Sequence, residues 1–88
     1  MDDAAFGERA RADLAQRLNL APTAVEVVSV TRGDVPIGAL NCAARRTPDK
    51  VPYTQPALVM AVEIVLRAGG REVTYYAQGQ RLITCDLP

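Results

Sequence analysis

The chain is 88 residues long, 49% hydrophobic and 23% charged, with a formal net charge of zero. That is enough for one domain with a modest core and is too apolar for a disordered segment. The absence of a basic excess argues against nucleic-acid binding, and no segment reaches the roughly 18 apolar residues of a membrane span. Aromatic residues are few (Phe6, Tyr53, Tyr75 and Tyr76, with no Trp), so the core is expected to be aliphatic.

Residues 3–19 read as a helix. Phe6, Ala10, Leu14 and Leu18 recur every four residues and form one apolar stripe. Asp2 or Asp3 suits its start, and the pairs Arg9–Asp13 and Asp13–Arg17 suit its outer face. Asn19 is suited to a left-handed residue at its end, and Pro22 prevents continuation. Val25–Thr31 is rich in β-branched residues and reads as a strand, with Val25, Val27 and Ser29 on one side and Glu26, Val28 and Val30 on the other. Both sides are partly apolar.

Residues 32–56 show no sustained period and carry Pro36, Pro48, Pro52 and Pro56. They read as a long wrapped connection with a short edge strand near Ala39–Ala43. Such connections often carry function. Arg32-Gly33-Asp34 matches a cell-adhesion tripeptide, but after a strand Gly-Asp is ordinary turn chemistry. Leu58–Ala68 is the strongest strand. Its set Leu58, Met60, Val62, Ile64 and Leu66 should face the helix. Gly69-Gly70 supplies a tight hairpin turn, Arg71–Gln78 returns, Gly79 turns again, and Arg81–Cys85 is a short last strand. The expected fold is a single α+β domain over residues 1–88. It has two layers: an N-terminal helix on an antiparallel sheet of about four strands, in the order α-β-loop-β-β-β.

The chemistry is sparse. There is no His, hence no common general base or neutral metal ligand. The two cysteines, Cys42 and Cys85, lack the spacing of a zinc site, and no glycine-rich phosphate loop is present. The carboxylates Glu26, Glu63 and Glu72 fall on strands without an evident acid–base pairing. No catalytic residue, metal or cofactor is expected. Cys42 and Cys85 have three readings: a disulfide closing a loop of about 43 residues, two inert buried thiols, or a reactive Cys42 activated by Arg45 and Arg46. Tyr53-Thr54-Gln55-Pro56 is a polar, aromatic entry to the central strand. It reads either as packing over the sheet end or as a contact patch. Arg45, Arg46, Tyr53 and Gln55 are the candidate partner-binding residues.

The order of Val25–Val30, Gly38-Ala39-Leu40-Asn41-Cys42, Tyr53-Thr54-Gln55, Ile64–Arg71, a Tyr-containing strand and Cys85 resembles a group of small bacterial α+β domains of unknown function. Their pattern runs Leu-Gly-Cys-Pro, Tyr-x-Gln and a late Cys. The chain departs from it at Asn41 and Ala43, which replace the Gly and the Pro, and lacks the group's Trp. The resemblance favours a Cys42–Cys85 disulfide. It also implies a setting outside the cytoplasm after removal of a leader; a native start at residue 1 would imply the cytoplasm. Three functions follow as expectations. The first is a non-catalytic binding or inhibitory module presenting a Cys-pinned loop to a protein partner. The second is a homodimeric assembly protein pairing through an apolar sheet face made by Val59, Ala61 and Val65. The third is a thiol-based redox sensor using Cys42.

Overall fold

The computed structural model describes residues 3–40 and 58–87. Helix α1 (Asp3–Leu18) leads into a short 3-10 turn at Pro22–Ala24 and strand β1 (Val25–Pro36). A single helical turn, α2 (Ile37–Leu40), precedes the strands β2 (Leu58–Ala68), β3 (Arg71–Gln78) and β4 (Arg81–Thr84). The four strands form an antiparallel meander in the order β1-β2-β3-β4, and α1 packs on one face of it. This is the α+β architecture expected from the chain.

The helix stripe forms as its spacing requires. Phe6, Ala10 and Leu14 are buried, and Leu18 packs against the same cluster. Gly7 is buried as well; a Cβ there would lie 3.1 Å from Val30 Cγ2 and 3.6 Å from Val27 Cγ1, so the missing side chain lets α1 approach β1 closely. The helix ends in a Schellman motif. Leu20 N–H donates to the Ala15 carbonyl (2.8 Å), Asn19 N–H donates to the Gln16 carbonyl (3.2 Å), and Asn19 takes φ 58°. Arg17 pairs with Asp13 at 2.9 Å, and Arg9 reaches the Gln80 carbonyl at the β3–β4 turn.

The core is not purely aliphatic. Tyr75 is the largest fully buried side chain, and Phe6 joins it. Tyr75 can be buried because its hydroxyl donates to Asp13 Oδ2 at 2.6 Å, on the flank of α1. Burial, then the bond to Asp13 and its charge, hold the phenol well above its usual range. The sign of the linkage follows: the folded state keeps its proton longer than the unfolded one, so stability is full below about pH 10 and declines as pH rises above it. Denaturant titrations between pH 8 and alkaline pH should show this decline. Tyr75→Phe should lower stability at pH 8 and make the decline shallower; an unchanged slope would deny Tyr75 this role.

Strand β1 and the turn after it differ from expectation. It extends to Pro36 rather than ending at Thr31, because residues 32–36 pair in register with Val62–Leu58. Arg32-Gly33-Asp34 is therefore mid-strand and not a turn; pairing to a long neighbour overrides the weak strand preference of Gly and Asp. A bulge at Val28 shifts the register between Val27 and Ser29. It exposes Val28 and Ser29 and turns Val30 toward the helix, reversing the expected faces beyond that point. Residues 37–40 form the turn α2 in place of the start of an edge strand.

Both hairpin turns follow their glycines. Gly69 and Gly70 have φ 60° and 76° between the paired Ala68 and Arg71. Gly79 has φ 60° between Gln78 and Arg81. Beyond β4 the chain is held by Asp86, whose Oδ2 accepts the Thr74 N–H at 2.7 Å, while Leu87 enters the main core.

Candidate functional site

On the face of β2 turned to α1, alternation continues but coverage stops. Val62, Ile64 and Leu66 are buried, whereas Leu58 and Met60 are 56% and 55% exposed. A helix of 16 residues spans about 24 Å and a strand of 11 about 36 Å, so the sheet outruns the helix N-terminus by about four residues. A groove of about 310 Å³ opens at this overhang, lined by Phe6, Arg32, Met60, Ala77, Gly79 and Gln80. Arg32 is tied there to Asp3 at the start of α1.

The opposite face has two halves. Near the Gly69-Gly70 turn it is polar: Arg67 lies 3.0 Å from Glu72 and 3.7 Å from Glu26. Toward α2 it carries a second small core of Val35, Leu40 and Ala61, with Val59, Tyr76 and Ile83 packed on it. The alternation of β2 therefore does not leave an open apolar face there. Ala61 is 2% exposed within the chain, so a second subunit could not bury it further. Tyr76 donates its hydroxyl to Glu63 Oε2 at 3.4 Å, and burial, reinforced by Glu63 and Asp86, raises the phenol's pKa.

The second core lies where the described chain breaks off before the long connection. Leu40 is its last described residue before the connection and touches the same cluster as Ile83 of β4. The connection returns at Leu58, which pairs with Pro36. Its two ends thus meet at one end of the sheet. Cys42, Arg45, Arg46, Tyr53 and Gln55 lie outside the described residues. Cys85 follows β4 and is half-buried, and no free cysteine occurs among the described residues.

Three of the sheet's carboxylates, and Asp86 just beyond it, are engaged by neighbours. Glu26 and Glu72 pair with Arg67, Glu63 accepts from Tyr76, and Asp86 accepts from Thr74. Among the described residues no three His, Cys, Asp or Glu side chains are grouped to hold a metal ion. No described helix is long and apolar enough to cross a membrane.

A family model described as a domain of unknown function, DUF8738, matches residues 7–85. The chain belongs to the DUF8738 family. The match runs from the second turn of α1 to Cys85, so it spans the whole sheet, the second core and both cysteines. No curated protein and no solved structure matches this DUF8738 domain.

Sequence reasoning missed Leu40, Val35 and Ala61 as a second core. Val35 falls in a Gly-Asp-Val-Pro stretch that reads as a turn, and Ala61 is small. Their partnership arises only because β1 extends to Pro36. The Asp13–Tyr75 bond links residues 62 apart and had half a signal: alternation along β3 aims Tyr75 at the helix.

Proposed function

We propose that the domain is a non-catalytic protein-binding module whose contact segment is the connection of residues 41–57, stapled by a Cys42–Cys85 disulfide. The observation that carries this reading is the second core, in which Leu40 is held against Val35, Ala61 and Ile83. Leu40 is the last described residue before a long polar connection, and its cluster lies on the face opposite α1. Leu40 and Ile83 share that cluster, and each cysteine stands two residues further along its own segment. A bridge between them would join two segments whose residues Leu40 and Ile83 share one cluster. The absence of a free cysteine among the described residues supports it. Within the connection, Arg45 and Arg46 supply charge and Tyr53 and Gln55 supply an aromatic and an amide, a mixture suited to a protein surface. Inhibition of an enzyme by insertion of this segment is one form the module takes. A bridged domain fits a compartment outside the cytoplasm.

The test is a photo-crosslinking residue placed singly at Arg45, Tyr53 or, as a control, the exposed helix position Gln16. In the native host, positions 45 and 53 should give one discrete protein adduct that Gln16 does not give. Adducts equal at all three positions, or none at 45 and 53, would refute the reading.

A further inference from the structure

Among the described residues, strand β1 is one of the two edges of the sheet, and its outward groups can be deduced. In a two-residue hairpin such as that of Ala68 and Arg71, the closing pair exchanges both backbone hydrogen bonds. Alternation then directs the N–H and C=O groups of Ala68, Leu66, Ile64 and Val62 toward β3, and those of Arg67, Val65, Glu63, Ala61 and Val59 toward β1. The partners of this second set, Glu26, Ser29, Thr31, Gly33 and Val35, point inward. Val30, Arg32, Asp34 and Pro36 point outward. Pro36 has no N–H to waste on the inner ladder, as suits an edge. The outward groups of Val30, Arg32 and Asp34 have no partner among the described residues, and Arg32 and Asp34 are exposed.

Edges are commonly protected by charge. Here the charges are self-complementary. Consider β1 pairing antiparallel with β1 of a second copy about a two-fold axis through Gly33. Arg32 then lies opposite Asp34 of the second copy, and Asp34 opposite its Arg32, with both backbone bonds exchanged in each pair. Val30 lies opposite Pro36, apolar on apolar, and its N–H donates to the Pro36 carbonyl. Gly33 faces Gly33 as a non-hydrogen-bonded pair, with Cα atoms about 4.5 Å apart. Gly33 has no side chain to obstruct that approach, and a Cβ there would meet nothing within 4 Å on its own face of the sheet. Sliding the strands by one pair toward either end sets Arg32 against Arg32 or Asp34 against Asp34, so charge favours this register over both neighbours.

We infer that the outer edge of β1 is a homodimerisation site, with Arg32-Gly33-Asp34 as its two-fold centre. The two sheets join into one continuous sheet with both helices on the same side. Arg32 keeps Asp3 and gains Asp34 of the second copy, which its five donors allow. This proposal is independent of residues 41–57.

The experiment is sedimentation equilibrium of the full chain, with circular dichroism to confirm folding. The unsubstituted chain should be a dimer. Asp34→Arg places like charges opposite each other twice and should weaken dimerisation about tenfold or more. Arg32→Asp should do the same, and an equimolar mixture of the two variants should regain the dimer, because each Arg again faces an Asp. Without any substitution, hydrogen exchange at the Arg32 and Asp34 amides should slow as chain concentration rises. An unsubstituted chain that stays monomeric, a dimer that Asp34→Arg leaves intact, or exchange at these amides that ignores concentration would each overturn the inference. Should Arg32→Asp fail to fold through loss of Asp3, the Asp34→Arg and exchange results decide.

Discussion

Leu66→Ala should destabilise the domain by about 2–5 kcal/mol, the range for deleting a large aliphatic side chain from a packed interior. Leu66 is 0% exposed, lies on the central strand β2 between β1 and β3, and is part of the main cluster with Leu14, Val25, Ile64 and Val73. Against a total stability of roughly 5–15 kcal/mol for a domain, this is a large share, and partial unfolding at 37 °C is expected. Leu58→Ala is the informative control. It stands on the same strand and the same side by alternation, yet is 56% exposed beyond the helix. Its cost should stay within about 0.5 kcal/mol, the usual range for a surface change. Urea titration of both variants measures the contrast. Equal losses would mean that the overhang of β2 is covered in solution.

Loss of the proposed Cys42–Cys85 bridge should have a comparable effect. A closed loop of about 43 residues removes about 4 kcal/mol of unfolded-state entropy in the chain-entropy model. Cys85→Ser should therefore lower the urea midpoint markedly, and reductant should lower it in the unsubstituted chain while leaving the variant unchanged. The direct readout is intact mass after thiol alkylation under denaturing conditions. The bridge predicts a monomer mass with no label before reduction and two labels after it. Two labels before reduction, in protein purified under oxidising conditions, would remove the staple. The thiol-sensor reading of Cys42 would then be tested next, by its rate of alkylation in the folded chain.

The two turns, the helix stripe and the β2–β3 hairpin were legible in the chain because each rests on local chemistry: the positive φ that Gly69, Gly70 and Gly79 adopt readily, and apolar residues at the period of their element. The second half of β1 was not legible. Gly33, Asp34 and Pro36 have low strand preference, and only pairing with Ala61, Met60 and Leu58 makes them a strand. The bulge at Val28 was hidden for the same reason. An extra residue leaves no mark in a run of β-branched residues, yet it reverses every face after it. The candidate site shared this fate. Its cysteines, charges and aromatics could be named from the chain, whereas the second core joins Val35, Leu40, Ala61 and Ile83 from four separate elements.

The chain by itself determined the α+β class, the order of its elements, the positions of its turns and the absence of histidine chemistry, since these depend on composition and short-range periodicity. Only the tertiary structure decided how far the helix covers the sheet, which face each residue of β1 takes after Val28, and that Tyr75 is the largest buried side chain. It also made Arg32-Gly33-Asp34 a strand edge instead of a turn. Each of these depends on the length, register or shape of an element distant in the chain. Hydrogen bonding and packing across that distance outweigh the local preference of fewer than a dozen residues.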